Sequence, residues 1–203
     1  KVPVVLLNDI AYIDYSYRGK AARDYIKTFD RISEHVFVVI AFSISKSMTS
    51  YGMRCGAAIL MAQKEESVRE VEIVFEKAAR AIWSNVNNAA MENFVTVVTD
   101  NKAAYEAEKD EYVDLLKERS DIFTSEADAC GLEYYPYKEG FFVTVKIEDN
   151  NVRNAYHKAL MKEHIYTVMV NKGIRVAVCS LPVEKCKGLA ARMKKILDEV
   201  TAA

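Results

Sequence analysis

Residues 41–56 read A-F-S-I-S-K-S-M-T-S-Y-G-M-R-C-G. They overlap an apolar run at 36–42, V-F-V-V-I-A-F, whose length and β-branched content predict a strand buried on both faces. After this run the sequence changes to hydroxyl-bearing residues around Lys46, and Arg54 follows eight residues later. Two cations and several hydroxyls are therefore concentrated where a buried strand reaches the surface.

That chemistry suits an anionic ligand that also carries a carbonyl group. Pyridoxal phosphate is such a ligand, because its aldehyde needs a lysine for a Schiff base and its phosphate needs hydroxyl, amide and guanidinium donors. A cluster of serines and a lysine after a strand is also common in solvated loops. On this stretch alone, both interpretations stay open.

Composition limits the classes of protein to consider. The 203 residues are 51% hydrophobic and 28% charged, as in globular proteins with one large or two small domains. A net charge of -1, spread along the chain, predicts no attraction to nucleic acid or to an anionic membrane. The four cysteines lack metal-binding spacing, and no apolar run approaches the ~20 residues of a membrane span. We expect a cytoplasmic protein without a metal.

The first part of the chain predicts a parallel strand–helix–strand unit. Its segments are a buried strand at 4–7, an amphipathic helix at 20–34 and the strand at 36–42. In parallel sheets ligands gather at the carboxyl ends of the strands. Asp9 and Tyr12 follow the first strand, and Ser43 and Lys46 follow the second, so we expect these side chains at one edge of the sheet.

The remainder predicts another strand, two helices and then a small α+β domain. The predicted segments are a strand at 57–61, helices at 68–82 and 101–129, a strand at 141–147, a helix at 150–163, strands at 165–170 and 174–179 joined by N-K-G, and a helix at 182–200. We place the domains at 1–100 and 101–203. Because the chain opens directly in a buried-strand pattern, we expect it to be the later part of a longer protein.

Five motifs together resemble one family. They are N-D-I-A-Y at 8–12, S-I-S-K-S at 43–47, Y-G-M-R-C-G at 51–56, R-A-I-W-S-N at 80–85 and R-V-A-V at 175–178. In order and spacing they resemble the class I aminotransferases of the pyridoxal phosphate fold-type I superfamily, and are most similar to the aspartate and aromatic amino acid enzymes. The resemblance implies an α/β fold: the end of a mainly parallel large-domain sheet plus a small α+β domain.

The resemblance implies roles around the cofactor ring. Lys46 would form the Schiff base and move the proton between the substrate α-carbon and the cofactor C4′ atom. Asp9 would pair with the pyridinium nitrogen, and Tyr12 would hydrogen-bond the cofactor O3′ atom. Taken alone, Asp9 could equally be a turn cap and Tyr12 an ordinary packing residue.

The resemblance also implies anion-binding roles. Ser43 and Arg54 would hold the phosphate, with Ser45 a weaker candidate. Arg175 would bind the substrate α-carboxylate through its planar guanidinium fork. Arg80 would reach the side-chain carboxylate of aspartate or glutamate across a dimer interface. The alternatives are a surface ion pair for Arg54, an exposed strand edge for Arg175 and a solvated helix face for Arg80.

The implied activity is transfer of an amino group between an L-amino acid of aspartate or aromatic type and a 2-oxo acid, in a homodimer. The resemblance covers only the later half of the family's chain. The glycine-rich phosphate turn, the ring-stacking aromatic residue and the asparagine at O3′ belong to the earlier half. Two alternatives stay open: a lyase, decarboxylase or racemase reaction on the same scaffold, or an inactive fragment or interaction domain.

Overall fold

The computed structural model describes residues 2–202. The chain divides into two compact units, of which the first runs to Lys109 and the second begins at Asp110. The predicted domains, 1–100 and 101–203, have their outer ends at Lys1 and Ala203, which lie outside the described residues. The predicted boundary at residue 100 stays a prediction.

The first unit contains a three-stranded sheet in the order β1-β2-β3. The strands are β1 (Val4–Asp9), β2 (Val36–Ser43) and β3 (Gly56–Met61). β1 and β2 are parallel, as predicted, whereas β3 runs antiparallel to β2. Gly56 lies opposite Ser43, and a Cβ atom there would come within 2.4 Å of the Phe42 carbonyl oxygen. The close return of β3 onto β2 therefore needs glycine at this position.

The prediction that β1 is buried was wrong. Val5 is 69% exposed and Leu7 is 65% exposed. β1 is an edge strand, and little of the described chain packs on its faces. The central strand β2 is better covered, with Val38 and Ile40 buried on one face, but its other residues are partly exposed, so the predicted burial on both faces is not seen. An apolar pattern predicts that a strand can be buried, but burial depends on which elements pack against it.

Helical segments connect and follow these strands. The predicted helix at 20–34 is instead a 3₁₀ helix over Gly19–Arg31, preceded by a 3₁₀ turn at Ile13–Tyr15. After β2 come the one-turn helix α1 (Ile44–Ser47) and a 3₁₀ turn at Tyr51–Met53. The later helices are α2 (Glu65–Ile82), α3 (Asn88–Thr99) and α4 (Lys102–Cys130). The structure thus confirms helices at 68–82 and 101–129, while α3 was not predicted.

The second unit is an antiparallel sheet with helices. Its strands, in the order β4-β6-β5, are β4 (Phe142–Lys146), β5 (Val168–Val170) and β6 (Gly173–Ala177). The predicted hairpin is confirmed, although its strands are shorter than the predicted 165–170 and 174–179. β5 and β6 pair through a two-residue loop in which Lys172 has φ 57°, and a 3₁₀ turn at Val178–Ser180 follows β6. Helix α5 (Asn150–Lys162) begins at an Asp149 cap, whose side chain accepts the N–H groups of Asn151 and Val152.

The predicted single helix at 182–200 is two helices. They are α6 (Val183–Cys186) and α7 (Leu189–Ala202). The break falls at Gly188, which has φ 75° and donates its N–H to Glu126 Oε1 at 2.7 Å. Within residues 2–202, no helix is both long and apolar enough to cross a membrane.

Candidate functional site

The candidate site begins where β2 becomes α1. Ser43 ends β2, and its Oγ accepts the N–H of Ser45 at 3.2 Å, which caps the N-terminus of α1. Ile44 is buried at 1% exposure and anchors the turn in the first unit. Lys46 follows two residues later in the same turn and is half-buried. The lysine thus projects from a short helix fixed directly to the end of a central strand.

Two tyrosine rings lie near the Lys46 amine. Its Nζ atom is 4.6 Å from the ring centroid of Tyr51 and 5.8 Å from that of Tyr12. Both distances fall within the range of cation–π contacts. The structure thus brings together Lys46 and Tyr12, which the sequence predicted to be close. Tyr51 was not predicted as a site residue.

Arg54 joins the same cluster. Its Nη1 atom donates to the Tyr51 carbonyl oxygen at 2.7 Å and lies 3.5 Å from Ser45 Oγ. Its guanidinium carbon is 4.9 Å from the Tyr51 ring centroid, so Lys46 and Arg54 both contact that ring. The two cations and the Ser45 hydroxyl are therefore linked through Tyr51 and Arg54 into one partly exposed cluster.

Asp9 lies at the carboxyl end of β1. It is opposite Ala41 of β2, two residues before Ser43. Its Oδ1 atom accepts the N–H of Ala11 at 3.0 Å, so the carboxylate caps the turn after the strand. This contact matches the alternative interpretation of Asp9, in which it is a turn cap. A carboxylate has further acceptor sites, and the proposed role at a cofactor ring stays a prediction.

Arg80 lies on the exposed surface of α2. Its Nη1 atom donates to Ser84 Oγ, one turn further along the chain. A shallow pocket surrounds it, lined by Glu76, Lys77, Ala79, Trp83, Ser84, Asn85 and Val86. These contacts are local, so its role toward a substrate carboxylate stays a prediction.

Arg175 belongs to the second unit and lies on β6, the central strand of its sheet. It is opposite Thr144 of β4 and Val168 of β5, and its guanidinium carbon lies 4.4 Å from the Phe142 ring centroid. A central position excludes the alternative of an exposed strand edge. The role of Arg175 toward a substrate carboxylate stays a prediction.

Tyr51 is the site residue that sequence reasoning missed. The available signal was its spacing, five residues after Lys46 and three before Arg54. With twelve tyrosines in the chain, an aromatic residue at that spacing is weak evidence without coordinates. Within residues 2–202, no three or more His, Cys, Asp or Glu side chains are grouped so that they could hold a metal ion.

Residues 1–193 match the family described as aminotransferase class I and II, and the chain belongs to that family. This confirms the resemblance seen in the motifs. A search of curated proteins gave no significant match.

Solved structures agree with this assignment. An aminotransferase from Anaerococcus prevotii is 34% identical, with a TM-score of 0.91 over 97% of this chain and 47% of that one. An aromatic-amino-acid aminotransferase from Burkholderia pseudomallei, covalently bound to pyridoxal phosphate, is 20% identical, with a TM-score of 0.71 over 95% of this chain and 48% of that one.

A Thermus thermophilus aspartate aminotransferase mutant complexed with tryptophan is 17% identical, with a TM-score of 0.67 over 95% of this chain and 48% of that one. Matches at these lower identities show the fold alone. The chain spans about half the length of the structures it matches. It therefore has the α/β fold of part of a fold-type I transferase, as predicted.

Proposed function

We propose that the whole protein is a pyridoxal phosphate-dependent aminotransferase and that this chain supplies the amine that attaches the cofactor. The observation that carries the proposal is the Lys46 cluster: an amine, two phenol rings and an arginine–serine pair at the carboxyl end of β2. Membership of the aminotransferase class I and II family supports it.

The donor set fits the cofactor's phosphate. Arg54 Nη1 and Ser45 Oγ lie 3.5 Å apart, so both could donate to one phosphate group. Ser43 uses an oxygen lone pair to cap α1, and a hydroxyl that accepts in this way can still donate its proton. Ser43 and Ser45 thus lie within three residues of Lys46, and Arg54 contacts the same Tyr51 ring as Lys46.

Each residue has a defined task in this proposal. Bound pyridoxal phosphate supplies an electron sink for the amino-acid carbon that loses its proton. Lys46 would hold the cofactor through its amine and, as the nearby base, would accept and release the substrate's proton at Nζ. Asp9 would hold the ring nitrogen in its protonated form, and Tyr12 would donate its hydroxyl to the O3′ atom.

Arg175 and Arg80 are the proposed substrate-binding residues. Arg175 pairs with the α-carboxylate, since its guanidinium fork matches a carboxylate in two hydrogen bonds. Arg80 precedes the Trp83-Ser84-Asn85 segment and stands 34 residues after Lys46, a spacing that resembles the aspartate and aromatic branch. We therefore propose aspartate or aromatic amino acids and 2-oxo acids as substrates. We also propose that the protein is a cytoplasmic homodimer and that it acts in amino acid biosynthesis.

The test uses the full-length protein. Lys46→Ala should abolish the visible absorption band of bound pyridoxal phosphate and lower transamination by about 10²- to 10⁴-fold or more, because the proton-transferring amine is lost. The matched control is Lys27→Ala, since Lys27 is an exposed lysine paired with Asp24. If Lys46→Ala keeps the band, the proposal is wrong.

A second assay separates transamination from other reactions of the cofactor. Oxo-acid formation from aspartate and from phenylalanine is measured with and without 2-oxoglutarate. Transamination requires the added amino acceptor, whereas a lyase or decarboxylase forms its products without it. Product formation at the same rate with and without 2-oxoglutarate would assign the protein to one of those other reactions.

A further inference from the structure

Two tyrosine hydroxyls bind consecutive carbonyl groups of α1. Tyr15 Oη donates to the Lys46 carbonyl oxygen at 3.0 Å, and Tyr105 Oη donates to the Ser47 carbonyl oxygen at 2.8 Å. Tyr15 precedes Lys46 by 31 residues, and Tyr105 follows Ser47 by 58. Segments far apart in sequence therefore converge on the peptide groups of the turn that carries the site lysine.

A helix of four residues needs such support. The last carbonyl groups of any helix lack intrahelical partners, and a single turn fixes several backbone dihedrals for very few hydrogen bonds. At its start α1 is capped by Ser43. At its end, Tyr105 supplies a donor to the Ser47 carbonyl, and Tyr15 adds a second donor to the Lys46 carbonyl, which also accepts the N–H of Thr49. The backbone of Lys46 is thus held from both ends of the turn.

The two phenols are in a state suited to this task. Tyr15 is buried, at 8% exposure. Tyr105 is half-buried, and burial together with the negative charge of Asp14 raises its pKa to about 12. Its hydroxyl therefore stays protonated, and able to donate, at physiological pH.

We propose that Tyr15 and Tyr105 are positioning residues that hold α1 so that the Lys46 amine meets its ligand in one orientation. Neither hydroxyl is assigned a part in the chemistry, because each is used on a main-chain carbonyl. The backbone they fix sets where the Lys46 side chain starts, and its Nζ atom lies 4.6 Å from the Tyr51 ring. This inference rests on the proposed function for its consequence at the cofactor.

The test compares three Tyr→Phe variants in the full-length protein. Tyr15→Phe and Tyr105→Phe each keep the ring and remove one hydrogen bond to α1. Tyr156→Phe is the matched control, because its hydroxyl donates to the Met193 carbonyl oxygen at 2.9 Å in the second unit. All three variants lose a bond of one chemical type, but only two of these bonds hold the turn with Lys46.

The first readout needs no cofactor. Hydrogen exchange is followed at the amides of Met48 and Thr49, which donate to the carbonyls of Ile44 and Lys46. Loss of either phenol should speed exchange there about two- to tenfold, the factor expected from one net hydrogen bond. In Tyr156→Phe the exchange of these two amides should not change.

The second readout is covalent capture of pyridoxal phosphate. The Lys46 amine condenses with the aldehyde and water leaves; borohydride then reduces the carbon–nitrogen double bond, and mass spectrometry quantifies the labelled peptide. Capture at Lys46 should slow about two- to tenfold in Tyr15→Phe and Tyr105→Phe. Capture at exposed Lys27, measured in the same samples, should stay constant and so report any general change in reactivity.

The outcomes separate the two proposals. If the unaltered protein labels Lys46 no faster than Lys27, the proposed function fails, and the positioning role fails with it. Alternatively, the unaltered protein is labelled faster at Lys46 than at Lys27. If hydrogen exchange at Met48 and Thr49, or labelling of Lys46, is then as fast in the two variants as in the unaltered protein, only the positioning role is overturned. An equal loss in Tyr156→Phe also overturns it. Should Tyr15→Phe fail to fold, Tyr105→Phe alone decides between these results.

Discussion

At the scale of single residues, Arg54 combines backbone strain with a fixed side chain. Its φ of 53° and ψ of 53° lie in the left-handed region, which residues other than glycine rarely adopt. The guanidinium group donates to the Tyr51 carbonyl and lies against the Tyr51 ring. Strained conformations of this kind persist when surrounding contacts hold them, and they are frequent at ligand sites.

Arg54→Lys should weaken binding of pyridoxal phosphate about tenfold. A lysine has no planar fork, so it cannot bind the Tyr51 carbonyl, Ser45 and a phosphate at once. Arginine and lysine have the same backbone strain at position 54. The change in affinity therefore reports the loss of guanidinium donors alone. The measurement is cofactor affinity from fluorescence quenching in the full-length protein.

The matched control for that change is Arg69→Lys, since Arg69 is an exposed arginine of α2 paired with Glu72. It should leave cofactor affinity unchanged. Equal affinity in Arg54→Lys and the unaltered protein would remove Arg54 from the phosphate site.

How much of the site could be predicted depended on distance along the chain. Ser43, Ser45, Lys46 and Arg54 lie within twelve residues, so their clustering follows from one strand end and its turn. The two phenols that hold α1 could not be predicted, because no spacing rule links residues that meet through tertiary packing. Tyr51 belongs to the Y-G-M-R-C-G motif, but the contacts of its ring depend on the conformation of the turn, which the amino-acid sequence does not reveal directly.

At the scale of elements, the break between α6 and α7 shows that a single glycine, Gly188, can end a helix within a continuous helical spacing of apolar residues. The apolar spacing at 182–200 predicted one helix, since an isolated glycine in a helical pattern is commonly tolerated. Gly188 instead adopts a left-handed conformation. Its N–H turns toward Glu126 rather than continuing a helix.

Gly188→Ala should destabilise the protein by about 1 kcal/mol, because an alanine side chain is strained at this φ. Open space surrounds the position, so a clash with neighbours does not contribute. Gly188→Asn is the graded control and should cost less, since asparagine tolerates the left-handed region better than alanine. Urea unfolding gives both values; an alanine variant as stable as the original would show that the strain argument is wrong.

Other elements were predictable for identifiable reasons. Helices α4 and α5 were predicted from their helical periodicity, and Gly131, at φ 72°, directly follows the last residue of α4. The β5–β6 hairpin carries its own turn signal. The orientation of β3 and the 3₁₀ geometry of Gly19–Arg31 were not predictable, because both depend on contacts made after the segments form.

At the scale of the whole molecule, the two units differ in their cores. Most of the buried apolar side chains among residues 2–202 belong to the second unit, where Tyr156, Leu160 and Met193 are fully buried. The first unit buries few, and α2 has none. Since burial of apolar surface is the main source of stability, the two units should not be equally stable.

We expect native-state hydrogen exchange of the 203-residue chain to show this difference. Amides of β4, β6 and α5 should exchange at least about tenfold more slowly than those of β1 and β3, because regions with few buried apolar contacts open locally at lower free-energy cost. Mass spectrometry of peptides from each unit gives the rates. Equal protection in both units would contradict the prediction.

The exposed strand β1 has a practical consequence for anyone who handles this chain. Its sequence, V-V-L-L-N-D, combines β-branched and aliphatic side chains at the rim of a sheet. Such rims recruit further strands from neighbouring molecules and can seed fibres. Refolding should therefore succeed in dilute solution and give precipitate as concentration rises, with turbidity beginning through intermolecular pairing at Val4–Asp9.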